Sequence, residues 1–222
     1  MKTTFVKKGL VALVSSALVA TFAVAAPSAA QAAALTCTTA STKVETCTGV
    51  DDNGAKFEIR MPSNFNGTLY VYSHGIRYNV NLPAIPVVAP AGALVNKAPE
   101  VAPTEIVATA LLKQGYALAG SGATTQGWNL EEGVDGAIQV MQIAETKYPK
   151  VSKVVAWGSS LGGLTAQALA EQYSGAVDAA APMCLADSAQ AEITMAGDFL
   201  WGMKTFFNLS LIHISEPTRR TP

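Results

Sequence analysis

Histidine is scarce in this sequence, which has only His74 and His213 among its 222 residues. Neither belongs to an H-x-x-x-H pair or a His/Asp cluster, the kind of spacing that a zinc site requires. The sequence also lacks a G-x-G-x-x-G after a strand and a P-loop lysine, which are the signatures of phosphate-cradling loops. We therefore expect no metal and no cofactor.

Basic residues are also sparse. Residues 33–208 contain 10 Lys and Arg against 15 Asp and Glu, a balance of −5. The sequence has no basic stripe for nucleic acid and no polybasic segment for anionic lipid. This pattern predicts a neutral substrate, either a small molecule or a polymer, and no nucleic-acid partner.

The long hydrophobic run lies at the N-terminus. Lys2, Lys7 and Lys8 precede an apolar run over residues 9–26, and Ala30-Gln31-Ala32 follows it. A basic start, an apolar run and a small-x-small exit are typical of a secretory signal peptide. The alternative is a membrane anchor, because the run is close to the minimum spanning length. The small-residue exit favours a signal peptide over residues 1–32, and hence export by a bacterium with no stable membrane anchor afterwards.

Three cysteines are present. Export permits disulfides, and Cys37 and Cys47 flank a short polar segment that suits two strands of a hairpin, so we predict a Cys37–Cys47 bridge. Cys184 is then left over, either buried as a thiol or without its partner.

The middle of the chain alternates between strand and helix patterns, which predicts an α/β fold, a three-layer sandwich with a mostly parallel sheet. The predicted strands cover residues 55–61, 68–72, 116–120, 151–157 and 176–183, the last of them buried, and the predicted helices cover 104–114, 131–148 and 164–173.

Three further segments carry specific expectations. In the first helix Thr104 is the expected N-cap, and Ile106, Ala110 and Leu111 are expected to point inward. Trp128 either lines a pocket or fills the core. The apolar, aromatic stretch 189–207 is either a lid or an ordinary core helix.

The most informative motif is Gly158-Ser159-Ser160-Leu161-Gly162, a G-x-S-x-G between an apolar β-branched run and an Ala-rich helix. In that context it predicts a nucleophile elbow, a turn so sharp that the serine projects above the sheet. Gly158 and Gly162 are then steric requirements, because a side chain at either would collide with the neighbouring strand or helix. The alternative is an ordinary tight turn with a surface serine.

The sequence Ser73-His74-Gly75-Ile76 ends an earlier strand. In hydrolases with a nucleophile elbow, the loop in that place supplies the second hydrogen-bond donor of the oxyanion hole. The first donor comes from the residue after the nucleophile. The candidate donors are the backbone N–H groups of Ile76 and Leu161. His74 suits a structural hydrogen bond to the loop backbone better than proton transfer.

With these two motifs in this order, residues 57–207 resemble the α/β-hydrolase superfamily, specifically its secreted bacterial serine esterases and peptidase-like members. The resemblance implies an acyl-enzyme on Ser160, a histidine base and an orienting acid, in the chain order Ser, Asp or Glu, His. Carboxylic esters are the expected substrates. The alternatives are a serine peptidase or amidase, and a non-catalytic binding module of the same fold.

The C-terminal region departs from that pattern. His213 is the sole histidine after Ser160, and it lies within residues 209–219, which read as a translated sequencing adapter. We therefore expect a non-native tail over 209–222 and an incomplete domain over 33–208, with the last strands, triad acid and histidine missing and little turnover by this chain. Asp187 is the one acid placed just after a predicted strand end downstream of Ser160. A few members of the family carry the triad acid after that strand, but its usual location is one strand later, so Asp187 is the alternative to an acid on the missing segment.

Overall fold

The structure is a computed structural model that describes residues 35–84, 90–185 and 188–207. The predicted signal peptide, the predicted tail with His213, and Asp187 lie outside these residues. The described strands are β1 (Thr36–Thr39), β2 (Val44–Val50), β3 (Lys56–Pro62), β4 (Thr68–Ser73), β5 (Ala117–Ser121), β6 (Lys153–Ser159) and β7 (Ala179–Met183). The described helices are α1 (Glu105–Lys113), α2 (Leu130–Lys147), α3 (Leu161–Gln172) and α4 (Ala189–Phe207).

The strands form one mixed sheet in the order β1-β2-β3-β5-β4-β6-β7. The pairs from β1 to β5 along this order are antiparallel, whereas β5, β4, β6 and β7 run parallel to one another. Parallel strands end at the same edge of a sheet, so the loops after β4, β5, β6 and β7 are neighbours there. This is the α/β-hydrolase fold, and the predicted fold class is confirmed.

Helices cover both faces of the sheet. On one face α2 and α3 pack against the strands through small and branched residues, and the fully buried side chains there include Phe57, Ile59, Leu69, Val71, Val140 and Leu169. On the other face α1 packs against a second cluster that contains Tyr72, Leu118 and Trp157. The sheet therefore lies between two helical layers, as the sequence pattern predicted.

The start of α1 is as predicted, but its buried face is not. The side chain of Thr104 accepts a hydrogen bond from the backbone N–H of Val107, as expected of an N-cap. The predicted inward face is confirmed only at Leu111, which is partly buried against the core; it is wrong at Ile106, which is 82 % exposed, and at Ala110, which is also exposed. The buried residues are Ala108 and Leu112, which are one helical turn apart and pack against the sheet.

The end of the described chain is more exposed than expected. β7 was predicted to be buried, but it lies at the sheet edge, and Ala179 and Ala181 are exposed. Large apolar residues of α4 are likewise exposed, among them Phe199, Trp201 and Phe206 at 67 %, 66 % and 89 %. These side chains have no core to pack into within the described residues, and the lid and core-helix interpretations of this stretch both stay predictions. No helix within the described ranges has the length and apolarity to cross a membrane.

The N-terminal hairpin carries the disulfide. Cys37 and Cys47 are directly opposite each other in the β1–β2 register, and their sulfur atoms are bonded. Cys47 is fully buried, so the bridge joins the edge hairpin to the main core. Cys184 is an exposed free thiol, which makes the buried-thiol alternative wrong.

Candidate active site

Ser160 is held in a backbone conformation that non-glycine residues rarely adopt. It lies between the end of β6 and the first residue of α3, with φ of 57° and ψ of −123°. The surrounding backbone is fixed by hydrogen bonds: Ser160 N donates to the carbonyl of Met183 (3.0 Å), and Leu164 N donates to the carbonyl of Ser160 (3.1 Å). Such strain persists where the surrounding structure enforces it, and it is concentrated at functional sites.

The helix after this turn starts at Leu161, three residues earlier than predicted, because it follows the turn without a linker. Leu161 is the first helical residue, so its N–H has no partner within the helix. The first turn contains no acidic side chain to offset the positive end of the helix dipole. The hydroxyl of Ser160 makes no capping hydrogen bond. The half-buried hydroxyl of Ser160 is therefore uncapped beside the positive end of a helix, a position that favours negative charge.

The glycines of the motif occupy positions that admit no side chain. A methyl group on Gly158 would overlap the carbonyl group of Gly162, and one on Gly162 would overlap the carbonyl oxygen of Ser73 at the end of β4. The elbow is therefore pressed against both its own helix and the neighbouring strand. This close approach is the steric reason for glycine at the two positions.

The loop of residues 74–77, named here the oxyanion loop, lies directly against the elbow. A methyl group on Gly75 would lie 3.2 Å from the carbonyl oxygen of Ser159 and 3.5 Å from Cβ of Ser160. The structure thus brings the loop containing Ile76 next to the serine, as the sequence order suggested. The N–H of Ile76 stays a predicted oxyanion donor, and its side chain is 57 % exposed.

His74 is bonded to its own loop. Its Nδ1 donates to the carbonyl oxygen of Gly75 at 2.7 Å. Burial lowers the pKa of His74, and the nearby charge of Arg77 acts in the same direction, while the hydrogen bond to Gly75 opposes them. The ring is therefore neutral at pH 7, and no hydrogen bond joins it to Ser160 among the residues the structure describes. These contacts fit the structural role that the sequence favoured.

One charged residue of the oxyanion loop escaped the sequence analysis. The side chain of Arg77 is only 11 % exposed, and its partners lie between Asn96 and Glu100. A single arginine in an irregular loop follows no periodicity, and its partners are about 20 positions further along the chain. No sequence signal connects them, so the contact had to be seen in three dimensions.

Trp128 is 47 % exposed, which makes the core-filling alternative wrong. It lines an open cavity of about 780 Å³ between the N-terminal end of α2 and the C-terminal end of α3, together with Tyr173 and several acidic residues. Ser160 is not among the lining residues, so this cavity is separate from the elbow.

Potential metal ligands come together once within the described residues, at Cys37, Glu45 and Cys47. Because the two cysteines are disulfide-bonded, neither offers a thiolate to a metal.

Comparison with known proteins gives structural neighbours only. No protein-family model matches the chain. No curated protein matches it either. Among solved structures, an esterase of Pyrococcus furiosus is 14 % identical with a TM-score of 0.46, covering 78 % of this chain and 58 % of that one. Lipase A of Candida antarctica is 14 % identical with a TM-score of 0.46, covering 68 % and 41 %.

A cell-wall-degrading esterase, LipA of Xanthomonas oryzae, is 17 % identical with a TM-score of 0.38, covering 65 % of this chain and 43 % of that one. The chain thus spans less than two thirds of the length of each of these enzymes. Overlaps with TM-scores below 0.5 do not transfer an activity to this chain. The chain is similar to esterases and a lipase in structure, at low sequence identity.

Proposed function

We propose that this protein is an exported serine hydrolase that cleaves carboxylic esters through an acyl-enzyme on Ser160. The observation that carries the proposal is the strained conformation of Ser160, with φ of 57° and ψ of −123° between β6 and α3. An ordinary surface serine in a tight turn has no need of this conformation, nor of two glycines that admit no methyl group.

The geometry supports an acyl-transfer mechanism. The hydroxyl oxygen of Ser160 attacks the ester carbonyl carbon while a general base takes the hydroxyl proton, which it later passes to the leaving alcohol, and the negative charge moves to the carbonyl oxygen. The N–H groups of Leu161 and Ile76 then bind that oxyanion, and each such donor lowers the barrier by about 3 kcal/mol. Collapse of the tetrahedral intermediate releases the alcohol and leaves the acyl group on Ser160, and water hydrolyses the acyl-enzyme in the second half of the reaction.

This mechanism needs a base and an acid. We place both outside the described residues, in the natural protein beyond about Asn208, with Asp187 as the other candidate for the acid. The exposed apolar side chains of α4 and the exposed edge strand β7 support this placement, because such surfaces are ordinarily covered by further protein. Reading the source DNA across the codon for Phe207 tests it. A frame that continues to an Asp or Glu and then a His supports it, and a natural stop after Pro222 contradicts it.

Export is a proposal of its own, supported by the basic, apolar and small-residue order of residues 1–32. If the protein is produced in a bacterial host, its N-terminus in the medium should be Ala33. Retention of the full N-terminus in the membrane fraction would favour the anchor instead.

The activity test uses the protein expressed from its natural reading frame. We expect a fluorophosphonate probe to label it and Ser160→Ala to abolish labelling, while Ser63→Ala, a change at an exposed serine on the hairpin side, leaves labelling intact. Comparison of a nitrophenyl ester with the matching nitroanilide then separates esterase from amidase. Folded protein that is never labelled would exclude the catalytic proposal and leave the binding module.

A further inference from the structure

Arg77 lies directly after Ile76, the residue proposed to supply the second oxyanion donor. A loop residue with a long charged side chain would ordinarily extend into water. Here the side chain is 11 % exposed, so its guanidinium group is largely withdrawn from solvent. A buried charge persists only where hydrogen bonds and an opposite charge compensate it.

The compensation comes from one short segment, residues 96–100. Nη1 of Arg77 donates to the carbonyl oxygens of Asn96 (3.2 Å) and Ala98 (2.8 Å). Nη2 lies 2.6 Å from a carboxylate oxygen of Glu100, an ion pair whose angle is not that of a hydrogen bond. The planar guanidinium group thus contacts two carbonyl oxygens and a carboxylate at the same time. The ammonium group of a lysine cannot reproduce this arrangement.

Segment 96–100 is itself fixed against the end of β5. A methyl group on Gly120 would overlap the carbonyl of Glu100, and one on Gly122 would overlap the carbonyl of Lys97. The segment therefore passes over the β5 terminus with no room for a side chain beneath it. Through its contacts with this segment, the guanidinium group of Arg77 is linked to the end of β5.

A second contact restrains the backbone of the oxyanion loop from the other side. The carbonyl oxygen of Arg77 accepts a hydrogen bond from the N–H of Gly127, in the loop after β5, at 2.9 Å. The loop is therefore held at two residues: at Gly75 by its contact with Ser160, and at Arg77 by both its carbonyl group and its side chain. The side chain of Arg77 contributes two charge-assisted hydrogen bonds and an ion pair to this restraint.

We propose that Arg77 is a positioning residue. By bonding to Asn96, Ala98 and Glu100 it holds the oxyanion loop in place and aims the N–H of Ile76 at the carbonyl oxygen of a substrate on Ser160. The inference rests on the proposed esterase function for its kinetic consequence. Its structural part, that Arg77 immobilises the loop, does not depend on catalysis.

The kinetic test compares Arg77→Met and Arg77→Lys with the wild-type full chain from its natural reading frame, using a nitrophenyl ester. Loss of one oxyanion donor typically lowers kcat by 10²- to 10³-fold, so we expect a displaced donor to lower it by about ten- to a hundredfold with KM within about threefold. We expect the kcat of Arg77→Lys to lie between those of wild type and Arg77→Met, because lysine keeps the positive charge but lacks the planar guanidinium group. Rates are measured well below the melting temperature of each variant, so that a loss of stability does not enter.

Arg60→Met is the matched control. Arg60 is also a partly buried arginine paired with glutamates, Glu58 and Glu105, but it lies on β3 beside α1, away from Ser160. The control removes the same charge and the same kind of ion pair, and kcat should stay within about twofold of wild type. If Arg77→Met lowers kcat no more than Arg60→Met does, the positioning role is refuted.

Amide hydrogen exchange tests whether Arg77 immobilises the loop, independently of the proposed esterase function. We expect exchange of the peptides covering residues 74–78 to be at least tenfold faster in Arg77→Met than in wild type, and unchanged in Arg60→Met. Unchanged exchange in Arg77→Met would refute the immobilised loop whether or not the protein is an enzyme. If the wild-type protein neither turns over an ester nor reacts at Ser160, the proposed function fails, while faster exchange would still support the structural part.

Discussion

Gly162→Ala is the substitution whose effect follows most directly from the structure. The added methyl group would overlap the carbonyl oxygen of Ser73 and lie 2.7 Å from that of His74. Both obstacles are backbone atoms at the end of β4, a strand paired on both sides, so neither can swing away as a flexible side chain would. This overlap can be removed only if α3 or the end of β4 moves.

Two opposing effects set the size of the change. Alanine is a better helix former than glycine by about 1 kcal/mol in a helix interior, and less than that in a first turn. Overpacking against rigid backbone costs about 1–3 kcal/mol, occasionally more. The steric cost is therefore the larger, and after the propensity gain is subtracted we expect the free energy of unfolding to fall by about 0.5–2.5 kcal/mol.

Urea unfolding of the full chain measures this quantity. With a slope of about 2 kcal/mol per molar urea, the expected loss lowers the midpoint by about 0.25–1.25 M. Gly175→Ala, in the turn between α3 and β7, is the control, because its added methyl group has no neighbour within 4 Å. It should leave stability unchanged or raise it by up to about 1 kcal/mol, since alanine restricts the unfolded chain more than glycine does. If Gly162→Ala is as stable as wild type, Gly162 does not approach the end of β4 as closely as the structure shows.

Two further predictions concern Ser160 and His74. Ser160→Gly should be more stable than Ser160→Ala by about 1 kcal/mol or more, since glycine adopts this conformation without strain; equal urea midpoints would contradict that. Because burial lowers the pKa of His74, the unfolded chain binds more protons below about pH 6.5, so the free energy of unfolding should fall as the pH drops from 7.5 to 5.5. His74→Gln should reduce that pH dependence in the same urea experiment, and an identical dependence would exclude a buried His74.

Much of the architecture could be predicted from local pattern. Strands β3 to β6 and helices α1 to α3 follow from alternation, periodicity and capping residues, which act over a few neighbouring positions. The elbow was predictable for the same reason, since Gly158 and Gly162 are four positions apart within one five-residue motif. The rotation of α1 about its axis could not be predicted. Ile106 and Leu112 are both strongly apolar, and only the packing of the helix against the sheet determines that Leu112 is the buried one.

The amino-acid sequence by itself determined that Ser160 follows a buried strand and precedes an Ala-rich helix, because the turn, the strand and the helix are contiguous. Only the tertiary structure decided which other parts of the chain meet at that serine. Gly75 lies 85 positions before Ser160, and Arg77 bonds to carbonyl groups 19 and 21 positions away. Such contacts arise because parallel strands bring their ends to one edge, and geometry between distant segments leaves no local trace in the sequence.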